Sequence, residues 1–86
     1  MNHFALPRFW SLYRGLPVDV QRLADKNFAL LQQDPYHPSL HFKCVNKGLN
    51  LWSARVGSDY RVLARRDSRG FHWFWIGTHA QYDKLI

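Results

Sequence analysis

The chain contains no glutamate. Its six acids are all aspartates, at positions 19, 25, 34, 59, 67 and 83, so no long-armed carboxylate is on hand as a general base. Cysteine is almost as scarce. Cys44 stands alone, which excludes an internal disulfide, points to a reducing compartment, and leaves that thiol to be read as a small buried apolar residue. No 18-residue apolar span and no charged-apolar-small leader occur, so neither a membrane partner nor secretion is expected, and the cytoplasm is the expected location. Gly-rich phosphate loops and nucleophile elbows are missing too. His37 and His41 have the spacing of helical metal ligands, but Pro38 lies between them and breaks such a helix. No metal and no cofactor are expected.

What the chain does have is aromatic bulk and positive charge. At 86 residues it makes one domain, residues 1–86, which buries roughly 60–65% of its unfolded surface. A core that small must be dense, and 47% hydrophobic with 16% aromatic residues supplies the density. Twelve Lys and Arg against six Asp give a net charge of +6 and a pI near 10.0. That balance favours polyanions or an acidic protein partner, nucleic acid first.

Hydrophobic spacing places the elements. Phe9, Trp10, Leu12, Tyr13 and Leu16 recur with helical period up to Gly15, and Val20, Leu23, Ala24, Phe28 and Leu31 form one apolar face of a second helix over about 17–33 that stops before Pro35. Leu40–Val45, Leu51–Val56, Tyr60–Arg65 and Phe71–Ile76 read as strands, Asn2–Leu6 as a weaker one, and 79–86 as a terminal helical turn. The expected fold is α+β, with two N-terminal helices on one face of a mainly antiparallel, about four-stranded twisted sheet. A two-residue Gly57-Ser58 turn would set Ala54 opposite Arg61 and send Arg55 and Arg61 to opposite faces. A three-residue Gly57-Ser58-Asp59 turn would pair Arg55 with Arg61 on one face. The shorter turn is expected, with Arg61 among Trp52, Ala54 and Leu63.

The order helix, helix, Pro-rich loop, then Leu40-His41-Phe42-Lys43, Leu51-Trp52-Ser53-Ala54-Arg55-Val56, Asp59-Tyr60-Arg61-Val62-Leu63 and Gly77-Thr78-His79-Ala80-Gln81-Tyr82-Asp83 resembles the RelE/ParE superfamily of bacterial toxins. The resemblance covers essentially the whole chain. It implies a toxin of a type II toxin–antitoxin pair, silenced by an antitoxin carrying an acidic segment. Its RelE-like members are ribosome-dependent endoribonucleases that cut mRNA, and its ParE-like members poison DNA gyrase. Arg61 matches the superfamily's recurrent catalytic arginine, and His79 with Tyr82 resembles the C-terminal His/Tyr pair of its nucleases, here separated by two residues. Trp52 and Ala54 stand where RelE carries a Lys-x-Lys pair, and the glutamate base of YoeB has no counterpart.

Three functions follow from the resemblance. The first is a metal-independent endoribonuclease inhibiting translation, with Arg61, His79 and Tyr82 catalytic. Lys43, Lys47 and Arg55 would then guide the RNA backbone, and Trp75 or Tyr82 would stack a base. The second is a gyrase inhibitor without nuclease activity, and the third is a non-toxic nucleic-acid or protein-binding domain on the same scaffold.

Overall fold

A computed structural model describes residues 1–86. The chain runs β1 (His3–Ala5), α1 (Pro7–Arg14), α2 (Val18–Gln33), a 3-10 turn (Pro38–Leu40), β2 (Lys43–Asn46), β3 (Leu51–Val56), β4 (Tyr60–Asp67), β5 (Gly70–Thr78) and α3 (His79–Leu85). The fold is α+β, as its sequence pattern implies. Five strands form one sheet in the order β1-β5-β4-β3-β2, antiparallel except for the parallel pair β1 and β5. The fifth strand is the short N-terminal one, docked at the edge by a hydrogen bond from Trp73 Nε1 to His3 Nδ1 of 3.0 Å.

Local chemistry sets the boundaries. Pro7 opens α1, where a missing N–H costs nothing, and the N–H groups of Gly15 and Leu16 close it on the carbonyls of Leu12 and Tyr13. Asp19 sits in the first turn of α2, against the positive end of the helix dipole. Pro38–Leu40 make the 3-10 turn, so Leu40, expected to begin a strand, ends this turn and β2 starts only at Lys43. There His37 Nδ1 accepts from the N–H of Ser39, and His41 exits in the left-handed region with φ 45° and ψ 41°.

Both helices lie on one sheet face. Ala54, Val56, Ala64, Phe71, Trp73 and Ile76 are buried there beneath Phe9, Leu12, Leu16, Ala24, Leu31 and Leu40. The register breaks in the middle of β5. Leu63 pairs with Trp75 while Ala64 pairs with Trp73, which leaves Phe74 as the extra residue of a bulge. Without a bulge Trp73 and Trp75 would share a face; with it, Trp73 enters the helix-side core and Trp75 turns to the opposite face with Leu63. Simple alternation along 71–76 does not reveal this switch.

The β3–β4 turn departs from the expectation. Arg55 pairs with Arg61, Ala54 with Val62 and Val56 with Tyr60, so the turn holds three residues, Gly57, Ser58 and Asp59. Two contacts explain the longer turn. Gly57 takes a left-handed φ of 64°, with its missing Cβ position 2.6 Å from Cδ2 of Leu23 in α2. The carbonyl of Asp59 accepts the N–H of His79 at 2.7 Å, which holds Asp59 out of β4. Arg55 and Arg61 therefore share a face, and Arg61 lies with Ser53, Leu63 and Trp75 rather than with Trp52 and Ala54.

Candidate functional site

The sheet face away from α1 and α2 carries Ser53, Arg55, Arg61, Leu63, Trp75 and Gly77, and α3 closes its β5 end. A capping box starts that helix: Thr78 Oγ1 accepts from the N–H of Gln81 at 3.1 Å, and Gln81 Oε1 accepts from the N–H of Thr78 at 2.9 Å. His79 becomes the first helical residue, aimed back at β4. The Tyr82 hydroxyl, one turn on, donates to Ser53 Oγ at 3.3 Å and ties the helix to β3. The Tyr82 ring meets the His79 ring edge-on, with centroids 6.2 Å apart.

Arg61 is the centre of the arrangement. Only 9% of the residue is exposed, and no carboxylate lies within ion-pair distance of it. Its Nη1 donates to the carbonyl of Tyr60 at 2.8 Å and, more weakly, to that of Ser58 at 3.4 Å. Nη2 lies 2.9 Å from Nδ1 of His79. Burial, and next the neighbouring charge of Arg55, lower the Arg61 pKa from its ordinary value. The guanidinium nevertheless remains a cation in the physiological range.

Those contacts assign the tautomer of His79. A guanidinium only donates, so Nδ1 must present its lone pair and the ring proton must sit on Nε2. Nε2 lies 3.3 Å from Asp83 Oδ2, one helical turn along. Asp83, His79 and Arg61 thus form a relay in which a carboxylate holds one imidazole nitrogen and a guanidinium holds the other.

Arg55 stands directly across from Arg61. Its Nη1 lies 3.3 Å from His41 Nε2, its Nε is buried without a partner, and it too lacks a carboxylate. Two guanidiniums without a counter-ion, side by side and partly desolvated, make an anion site suited to a phosphodiester. Lys43 pairs with Ser53 and so shares this face at its β2 edge, exposed to solvent.

Two of the expected residues fall outside the cluster. Lys47 lies in the turn before Leu51, at the opposite end of β3 from Arg55 and Val56, a separation on the order of 15 Å at strand rise. Trp75 is on the right face but only 8% exposed. Its ring occupies the space where a Cβ on Gly77 would stand, so it packs rather than presents a surface to a base. Asp83 and His41 join the cluster without standing among the candidate site residues of the sequence. The i, i+4 spacing of His79 and Asp83 on a helix was a usable signal for the first; His41 had none, because the left-handed exit of the 3-10 turn brings it to Arg55. An apolar cleft of about 240 Å³ lies between α1, α2 and the sheet and reaches Ala54, Val62 and Trp73 from the other side.

A two-layer α+β domain with two N-terminal helices on one face of a mainly antiparallel sheet is the fold of the RelE/ParE toxins. The profile of the ParE-like toxin domain matches residues 18–84, and the chain belongs to that family, among the toxins of toxin–antitoxin systems. Two solved structures share its fold closely. The YoeB/ParE toxin from Agrobacterium tumefaciens superposes with a TM-score of 0.68 at 13% identity, over 92% of this chain and 99% of that one. The RelB-RelE antitoxin-toxin complex from Methanococcus jannaschii superposes with a TM-score of 0.72 at 10% identity, over 96% and 98%. None of the curated protein sequences matches at a significant level. No helix is long and apolar enough to cross a membrane.

Proposed function

We propose that this toxin is an endoribonuclease that cuts mRNA on the ribosome in the cytoplasm, and that it is neutralised by an antitoxin with an acidic segment. The observation carrying this reading is the 2.9 Å contact between Arg61 and His79, with Asp83 behind the imidazole. An RNA phosphate entering between Arg55 and Arg61 competes for the Arg61 guanidinium and frees Nδ1 of His79. The freed lone pair accepts the proton of the 2′-hydroxyl, and the Asp83 carboxylate stabilises the imidazolium so formed. The 2′ oxygen attacks phosphorus, and the two guanidiniums stabilise the added negative charge. Lys43 extends the positive edge along the backbone, and Tyr82 holds the imidazole ring in place. The relay supplies a base without a glutamate, which answers the missing YoeB-type residue. The RelB-RelE complex supports an antitoxin partner by its shared fold.

The ParE-like family profile, together with the missing Lys-x-Lys pair, favours a second reading, a gyrase inhibitor. Induction in bacteria separates the two. The nuclease reading expects fragmented mRNA with normal plasmid supercoiling. It also expects loss of cleavage in Arg61→Ala by roughly 10²–10³-fold, by analogy with removal of an oxyanion donor, and in His79→Gln. Relaxed or linearised plasmid with intact mRNA, and full toxicity in a folded His79→Gln variant, would establish the gyrase reading instead.

A further inference from the structure

Cleavage by 2′-hydroxyl attack needs two proton transfers on opposite sides of the phosphorus, because the entering and leaving oxygens lie roughly in line. His79 supplies one. Among its neighbours, Asp83 is occupied by His79 and the Tyr82 hydroxyl by Ser53, so neither is free for the second. Resting on the nuclease reading above, we propose that His41 is a second catalytic residue, the general acid that protonates the leaving 5′ oxygen.

The geometry is a chain of four groups, with Arg61 and Arg55 on adjacent strands, His79 at the start of α3 and His41 just after the 3-10 turn. His79 accepts from Arg61, Arg61 opposes Arg55, and Arg55 Nη1 lies 3.3 Å from His41 Nε2. Since the guanidinium donates, Nε2 of His41 is the accepting nitrogen in the free protein. A phosphate held by both arginines has one imidazole on either side. When the phosphate draws the Arg55 guanidinium, Nε2 of His41 is free to take a proton from solvent, to which the residue is exposed.

The backbone also marks His41. It is one of two non-glycine residues with positive φ, at 45°, a conformation that costs a side-chain-bearing residue on the order of 1 kcal/mol and persists only where the surroundings enforce it. They do so here from both sides. Leu40 is 1% exposed in the core, and the Phe42 ring packs on Trp52 with centroids 5.0 Å apart. Between these anchors His41 has little freedom, and its ring is delivered to Arg55.

The step balances. The 2′-hydroxyl proton passes to Nδ1 of His79 as the 2′ oxygen bonds phosphorus. The bond from phosphorus to the 5′ oxygen breaks, and that oxygen takes the proton from Nε2 of His41. The products are a 2′,3′-cyclic phosphate and a 5′-hydroxyl. His79 ends protonated and His41 neutral, and exchange with water restores both.

The test uses ribosomes programmed with an mRNA carrying either an ordinary linkage or a single bridging 5′-phosphorothiolate at the cleaved position, whose thiolate leaves without a proton. Expected for His41→Gln is a loss of about 10²–10⁴-fold on the oxygen linkage and near wild-type cleavage of the sulfur linkage. Expected for His79→Gln is loss on both. Wild-type cleavage of the oxygen linkage by His41→Gln, or equal loss on both linkages in a variant with unchanged circular dichroism and Tm, overturns the assignment of His41 alone. Wild-type protein that cleaves neither linkage overturns the nuclease reading itself, and this assignment with it.

Discussion

Gly77 lies directly across from Arg61 in the β4–β5 pair, and its lack of a side chain is what lets three groups converge there. A Cβ at this position would strike the Trp75 ring and stand 2.7 Å from Gln81 Oε1. Gln81 is the flexible half of the capping box, but Trp75 is buried and cannot retreat. Gly77→Ala should therefore destabilise the fold by about 1–3 kcal/mol, the usual range for overpacking, measured by urea denaturation. A variant as stable as the wild type would mean that Trp75 is less tightly held than its burial implies. Arg61 is the complementary case, because its worth lies in chemistry rather than packing. Arg61→Lys replaces a fork of donors with a point charge and should recover only part of the activity that Arg61→Ala loses, with toxicity after induction as the readout.

Secondary elements bring these residues together, and two of them carry separate predictions. The helix α3 has seven residues, too few to persist without its cap and its docking contacts. Thr78→Ala removes one half of the capping box and should cost about 1 kcal/mol, seen as faster amide exchange in residues 81–86 and weaker cleavage with the global fold intact. The docking of β1 should depend on pH. Burial, and next the N-terminal charge, lower the His3 pKa from 6.5, and neutral His3 accepts the Trp73 hydrogen bond. A histidine pKa depressed by folding means that the unfolded chain binds the proton more readily. The stability due to neutral His3 is therefore present above the unfolded value and is lost as pH falls through 6.5 towards the folded value. Thermal melts at pH 8 and pH 5.5 should show a larger drop for the wild type than for His3→Asn; equal drops would remove His3 as the cause.

Much of this scale was readable in the sequence. Apolar spacing in 9–16 and 20–31 and the Pro/Gly punctuation around them locate α1 and α2 because helical period and stop signals are both local properties of the chain. The register of Arg55 and Arg61 was not readable. It hinges on one residue of turn length, and what lengthens the turn is a backbone contact from Asp59 to His79, some twenty positions along the chain. The bulge at Phe74 was hidden for the same reason: a sequence window sees alternation, whereas the sheet must satisfy pairing on both sides. Arg61, His79 and Tyr82 could be singled out because the segments that carry them resemble those of the RelE/ParE toxins. Lys47 and Trp75 could not be sorted from the residues that meet at Arg61, since distance along the sheet and burial are properties of the fold.

At the scale of the whole molecule, a net charge of +6 and a face with two arginines free of counter-ions attract polyanions of either kind, nucleic acid or an acidic polypeptide. Capture of the antitoxin should be electrostatically steered, so its association rate should fall as salt rises from 50 to 500 mM, while its dissociation rate changes less; stopped-flow mixing gives both. A salt-independent association rate would show that apolar contact dominates the encounter. The edge strand β2 leaves backbone groups available to an extended antitoxin segment on the Lys43 side of the site. If the Arg61–His79–Asp83 relay breaks RNA through the 2′-hydroxyl, the chemistry of the cut ends records it. Messenger RNA recovered after induction should carry new 5′-hydroxyl ends opposite 2′,3′-cyclic or 3′-phosphate ends, and both should vanish in Arg61→Ala and in His79→Gln. Intact mRNA in growth-arrested cells, or new ends bearing 5′-phosphate and 3′-hydroxyl, would contradict the account.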